Sequence, residues 1–314
     1  MSKGSLFWSK ASGKLGEVVL SQVKGQQISR AYQPKVANPR STSQTLQRIK
    51  FSNAVKFYKH ATQALFKFAF EDKRKNESDY NAFMRKNSNV AAYVTRESYL
   101  NQFYPAIGGQ YLLADGSLPS LPLKPDNSLG LVISLGTEDF SDNKRLTVGE
   151  LSQRFIQMYN LAEGDILTFV EVVNTDISSL DDEPTKPTDW IINQIAISST
   201  DSNVLTDLFT AQNGHEFGTA EGWHIKGETG QEKTLCCASN SVNGDNCVAG
   251  AALIQSRNVA GQKLLVSRSY LINNKYANQI YTESNYPNYV NKALNTWGRT
   301  QDAILQGSMS KILD

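Results

Sequence analysis

Histidine is scarce in this chain. There are three in 314 residues, alongside three cysteines and no apolar run approaching the roughly 18 residues that a membrane-spanning helix needs. Most hydrolytic and transfer sites recruit histidine, a metal, or both, so this poverty counts against an enzyme. The usual motifs are missing too: no G-x-G-x-x-G, no G-x-S-x-G elbow, no H-E-x-x-H and no kinase set. The segment SKASGKLGE comes nearest to a phosphate-cradling loop, but it lacks the upstream glycine at the required distance and a hydroxyl after Lys14. An odd number of cysteines, Cys236, Cys237 and Cys247, argues against a disulfide framework and for free thiols. The opening MSKGSLFWSK has neither the apolar core nor the small-residue cleavage site of a signal peptide, so a soluble protein made in a cytoplasm is expected.

What is present is a segregation of charge. The totals nearly cancel, 32 Lys+Arg against 30 Asp+Glu, yet residues 1–100 hold 18 basic and 6 acidic side chains and the remainder 14 and 24. Fields of opposite sign in one chain point to nucleic acid, an acidic surface, or head-to-tail association with another copy.

The pattern of residues predicts an α+β protein with two domains. A basic region, 1–125, would hold a hairpin, an arm and helices; an acidic, strand-rich domain with a few helices would fill 126–314. GEVVLSQVKGQQISRAY, residues 16–32, alternates β-branched residues around Lys24–Gly25 and reads as a hairpin. The next stretch carries Pro34 and Pro39 and should be an extended arm. Ser41–Gln44 matches a capping box, opening a helix over about 43–70 whose apolar stripe is Leu46, Ile49, Ala54, Tyr58, Ala61, Leu65 and Phe68. Two shorter helices should follow, Ser78–Lys86 with Tyr80, Phe83 and Met84 inward, and Thr95–Phe103.

Glycine and proline crowd residues 105–128, which suits an interdomain connection with its boundary near Pro125. Beyond it, LGLVISL, a helix opened by the capping box Thr147–Glu150, and ILTFVEVV read as strand, helix, strand. NTDISSLDDEPTKPTDW should be an exposed acidic loop before the strand IINQIAIS. AALIQSR and KLLVSRSYLI flank Asn258–Gly261 as a second hairpin, and a final helix puts Val290, Leu294, Trp297 and Ile304 on one face.

For chemistry, His215, His224, Cys236, Cys237 and Cys247 offer zinc-compatible atoms, but their spacing is wrong for a structural site; TLCCAS should bury one thiol and expose the other. Asp181, Asp182 and Glu183 lack the glycine and spaced carboxylates of a calcium loop. No metal and no cofactor is therefore expected. The stronger signal is basic. Arg48, Lys50, Lys56, Lys59 and Lys67 on the long helix, Lys35 and Arg40 in the arm, and Lys73, Arg74 and Lys75 beyond could meet phosphates or an acidic partner. Without a base-reading motif, such binding would track the backbone.

Several of these features together resemble an uncharacterised family found in Bacteroidetes and their phages. They are Gly13-Lys14-x-Gly16 before Val18 and Val19, the Lys24–Gly25 turn, Arg30, the Ala37-Asn38-Pro39-Arg40 arm, and Gln44, Gln47-Arg48, Phe51 and Phe57, then Tyr80-Asn81-Ala82-Phe83. The hairpin AALIQSRNVAGQKLLVSRSYLI is similar to the one that ends such proteins. The resemblance assigns no catalytic residue and implies a virion setting: a structural or assembly protein, non-enzymatic, meeting itself or other virion proteins. Pro34, Val36, Asn38 and Pro39 of the arm and the 16–32 hairpin would be its packing elements. Two other readings stay open: a DNA-binding accessory protein without sequence specificity, and a ligand- or glycan-binding module stacking its ligand on Trp190, Trp223 and Tyr270.

Overall fold

The computed structural model describes residues 2–3, 12–23, 26–34, 41–90, 96, 110–126, 130–140, 142–174, 188–214, 216–218, 222–237, 247–259, 264–273 and 286–299. Compactness divides the chain into residues 1–41 and 42–314. The boundary expected near Pro125 is not where the chain separates, because that proline lies inside a paired strand.

The smaller unit is one antiparallel sheet. Its strands are β1 (Ser2–Lys3), β2 (Gly13–Leu15), β3 (Val18–Val23) and β4 (Gln26–Ala31), in the order β1-β4-β3-β2. The predicted hairpin is β3 with β4, Val23 facing Gln26; the Lys24–Gly25 turn itself lies outside the described residues. Gly16, at φ 58°, takes the left-handed conformation that the tight β2–β3 turn requires.

The larger unit begins with α1 (Thr42–Gln63), starting where the capping pattern placed it but ending seven residues early. The expected stripe ran on through Leu65 and Phe68. Instead Leu65 turns out at φ 64° and is 85% exposed. Phe66, Phe68 and Phe70 then alternate inward into β5 (Ala69–Phe70), a period of two that an extended chain buries and a helix does not. Helix α2 (Asp79–Asn87) follows as predicted, with the Ser78 side chain accepting the Asn81 N–H at 3.2 Å. Phe83 and Met84 are buried, whereas Tyr80 is only half-buried. The helix expected at Thr95–Phe103 lies outside the described residues except for Arg96, which is helical.

Residues 105–128 are not a plain connection. They contain β6 (Leu112–Asp115) and β7 (Lys124–Asp126), and Tyr111, Leu112, Leu113 and Ala114 are all buried. The Asn87 side chain locks β6 to α2, taking the Leu112 N–H at 2.7 Å and donating to the Leu112 carbonyl at 3.1 Å. The Lys86 ammonium adds ion pairs to Asp72 at 2.9 Å and Asp115 at 2.5 Å.

Strand β8 (Gly130–Gly136), helix α3 (Val148–Tyr159) and strand β9 (Ile166–Asn174) follow the predicted order. The Thr147 capping box has both of its hydrogen bonds, and Asn160, at φ 55°, caps the other end. Then come β10 (Thr188–Ala196), α4 (Leu205–Asn213), β11 (Trp223–Lys226), β12 (Lys233–Cys237) and β13 (Cys247–Arg257). The chain finishes with β14 (Leu265–Val266), β15 (Ser269–Tyr270), β16 (Ile272–Asn273) and α5 (Tyr286–Arg299). β13 and β14 form the second predicted hairpin. Trp190, placed in the acidic loop by its neighbours, belongs to β10; residues 175–187 lie outside the described residues. The fold is α+β and rich in antiparallel strands.

One sheet runs β10-β9-β13-β14 and a second β11-β12-β8-β7. Their inner faces share a core with α3 and α4: Leu167, Phe169 and Val173 from one side, Leu131, Ile133, Leu235 and Trp223 from the other. The opposite face of the first sheet, Val170, Val172, Trp190, Ala252 and Ile254, packs against α1, α2 and β6. There Phe57 stacks on Tyr111 with ring centroids 3.9 Å apart. Strand β9 is thus buried on both faces, so ILTFVEVV is apolar nearly throughout instead of alternating. A third, small cluster joins Ile49 and Leu46 of α1 to Ala293, Leu294, Val290 and Trp297 of α5; Ile304 lies outside the described residues.

Candidate functional site

The N-terminal sheet holds the predicted hairpin and the Gly13-Lys14-x-Gly16 motif. Side chains alternate across a strand, and opposed residues share a face. The registers Leu15↔Val18↔Ala31 and Gly13↔Leu20↔Ser29, with Gln22↔Gln27, therefore define one face. Lys14↔Val19↔Arg30, with Ser21↔Ile28 and Val23↔Gln26, define the other. The first face carries no charge among the described residues. The second carries Lys14 and Arg30, and the Lys14 ammonium sits 3.5 Å from the centroid of the Tyr32 ring.

No residue of this sheet belongs to any of the three hydrophobic clusters formed by the described residues. Leu15, Val18, Val23 and Tyr32 are exposed, four of the nine large apolar side chains that are exposed among the described residues. In the arm, Pro34 is described and exposed, while Lys35, Val36, Asn38, Pro39 and Arg40 lie outside the described residues.

The predicted cations of the larger unit differ in exposure. Arg48 and Lys59 are exposed on α1, and Lys50 and Lys56 are half-buried there. Burial lowers the Lys56 pKa from its ordinary value. Lys67 is exposed beyond the end of the helix. Lys73 pairs with Asp79 at 2.8 Å, which removes one charge from the run Lys73, Arg74 and Lys75.

The aromatic residues weighed as a ligand platform are not assembled as one. Trp223 is in the inter-sheet core, whereas Trp190 lies on the opposite face of the first sheet, where half-buried Tyr270 also packs. Of the metal-compatible residues, His215 and the side chain of Cys247 lie outside the described residues. His224 stands opposite Cys236 and Trp223 opposite Cys237. Both thiols are buried, which corrects the expectation that one would be exposed. The Cys237 side chain joins the inter-sheet core, and Cys236 is closed in on the other face of its sheet. Burial pushes Cys236 up to about 11 and Cys237 well above its ordinary value, so neither supplies a thiolate at neutral pH.

One buried group was missed by the sequence reading. Glu171 lies at the middle of β9, opposite Ile191 and Ala251, both of the inter-sheet core. Its carboxyl accepts the backbone N–H of Trp223. Burial raises its pKa to about 8, against the pull of that hydrogen bond. The signal was available, since Glu171 is the one charge in ILTFVEVV. A second buried carboxyl, Asp165, is fully paired. Burial pushes it up, but Arg257 at 2.6 and 2.8 Å, the Ala162 N–H and Gln255 outweigh this and hold it below its ordinary value. That network ties the turn before β9 to the end of β13.

No curated protein and no solved structure matches the chain. Residues 10–119, which span strands β2–β6 and helices α1 and α2, match a family of unknown function (DUF6266).

Proposed function

We propose that the protein is a structural or assembly component that acts by protein–protein contact, without catalysis, and that the N-terminal sheet is its contact element. The virion is the setting that the sequence resemblance implies. One observation carries the reading: among the described residues, the sheet of residues 1–41 contributes to no hydrophobic cluster, yet exposes four large apolar side chains. An isolated small sheet is marginal in water until something covers a face. A partner that buries Leu15, Val18 or Val23 supplies that cover, at about 25 cal/mol for each square ångström of apolar surface removed from water.

Mass measurement by light scattering or native mass spectrometry tests this on the full chain and on a version lacking residues 1–41. Self-assembly by the full chain and a folded, monomeric truncation are the expected outcome. A truncation that assembles as well as the full chain sinks the reading. The DNA-binding alternative requires affinity that falls steeply with salt and flattens when Arg48, Lys56 and Lys59 are replaced by Gln. With Lys56 half-buried and Lys73 paired, less charge is available for it than the sequence offers.

A further inference from the structure

We infer that the side-chain amides of Gln212 and Asn213 are an edge guard: they occupy outward backbone groups of β10 and so keep the larger unit from pairing, strand to strand, with a second copy of the chain. Unlike the contact proposed for the N-terminal sheet, this is a surface at which contact is prevented.

An edge strand presents a row of backbone N–H and C=O groups to which any extended chain can bond. Among the described residues, β10 pairs with β9 alone, so one side of this nine-residue strand faces outward. Gln194 is exposed there and Ile192 is half-buried. In an antiparallel ladder, a hydrogen-bonded pair of residues exchanges two bonds, each giving its N–H to the carbonyl of the other. Gln212 reproduces that exchange from a side chain. Its Oε1 accepts the Gln194 N–H at 2.8 Å, and its Nε2 donates to the Gln194 carbonyl at 2.8 Å. Asn213 continues the row two residues back along the strand, its Nδ2 donating to the Ile192 carbonyl and, at 2.8 Å, to Asn193 Oδ1.

Helix α4 holds both amides in position. Leu205 and Phe209 anchor it in the inter-sheet core, and Gly214, at φ 75°, ends it immediately after Asn213. Gln212 and Asn213 are themselves exposed, so they fill no space in that core.

The second sheet is closed in the same way. Its edge strand β11 turns the backbone groups of Trp223 and Ile225 outward, and the Asn143 amide makes the same two-bond exchange with Ile225, both bonds at 2.8 Å. The Gly218 N–H donates to the Trp223 carbonyl at 2.8 Å, and the Glu171 carboxyl accepts the Trp223 N–H. At the opposite ends of the two sheets, β14 has two residues and β7 three, one of them Pro125, which has no N–H to offer. Short strands and prolines are common protections of a sheet edge. β10 is the longest of these edges and has neither. The partner it would otherwise accept is another β10, because two such edges, antiparallel about a two-fold axis, offer each other identical rows of groups.

Sedimentation of the full chain and of its Gln212→Ala, Asn213→Ala double variant, up to about 500 µM, tests this. The double variant should self-associate at least about tenfold more strongly than the unsubstituted chain, since a symmetric pairing removes the guard from both strands at once. Adding Gln194→Pro should return it to the unsubstituted level: the N–H lost there points away from β9, so the ladder inside the sheet is kept. A guard that merely fastens the end of α4 would change stability without any association that this proline reverses. Circular dichroism checks that each variant keeps its fold. Should the double variant fail that check, Gln212→Ala alone, at an exposed position, carries the same comparison with an expected rise of about threefold. Folded variants that associate no more than the unsubstituted chain overturn the inference, and so does a rise that survives Gln194→Pro. Each result is a difference between chains that share the N-terminal sheet, so it stands whether or not that sheet makes the contact proposed above.

Discussion

Glu171 costs the fold stability in a way that depends on pH. Its carboxyl is held in the inter-sheet core with a pKa of about 8, against 4.5 when free. Below about pH 4.5 it is protonated both folded and unfolded, so no penalty arises. Between 4.5 and 8 the unfolded chain releases the proton and the folded chain retains it, so stability falls as pH rises. The full loss is on the order of 4 kcal/mol. His224 works the other way. Burial lowers its pKa, so its contribution is lost as pH falls through the ordinary histidine range. The comparison that isolates Glu171 is therefore wild type against Glu171→Gln, by chemical denaturation at pH 5 and pH 9. The Gln variant should gain on wild type by a few kcal/mol at the higher pH and little at the lower. Equal differences at both pH values would mean that the carboxyl is not holding a proton.

Among the elements, α3 is where local sequence and tertiary structure agree most closely. Thr147 and Glu150 cap each other's backbone amides, and Gly149 lets the first turn meet the segment before α4: its N–H reaches the Asp201 carbonyl at 2.8 Å, and a Cβ would stand 2.7 Å from that oxygen. Thr147→Ala should cost about 1 kcal/mol in thermal or denaturant unfolding. An unchanged midpoint would show that the Asp201 contact holds the helix end without its cap. This cap was legible because its residues are contiguous. The end of α1 was not, because Leu65 and Phe68 continue the helical spacing while Phe66, Phe68 and Phe70 carry a period of two, and only the neighbouring rings of Phe57, Tyr58 and Phe83 decide between them. Residues 105–128 misled for a related reason. Glycines and prolines mark turns locally, but the burial of Tyr111 to Ala114 depends on α1 and α2, distant in sequence. Glu171 stands out in the sequence as the one charge in ILTFVEVV, but that it is buried shows only once both faces of β9 are seen to be covered.

At the scale of the whole molecule, the two units should differ most in how readily they open. Every hydrophobic cluster formed by the described residues lies in 42–314. Strand β9 is bonded on both edges, to β10 through nine residue pairs and to β13 along its length, and is covered on both faces. Amide protons there can exchange only when the inter-sheet core comes apart, so their protection should approach the global unfolding free energy. The N-terminal sheet has short outer strands, two residues in β1 and three in β2, and exposed apolar side chains. In a dilute monomer its amides should exchange through local opening, orders of magnitude faster than those of β9. Hydrogen–deuterium exchange followed by mass spectrometry reads both in one experiment, on peptides covering 13–31 and 166–174. Repeating it at concentrations where the chain self-associates adds the decisive comparison. If the sheet is the contact element, protection of 13–31 should rise with concentration while that of 166–174 stays fixed. Equal, high protection of both peptides in the dilute monomer would mean that the sheet needs no partner, and the physical ground for assembly through it would be gone.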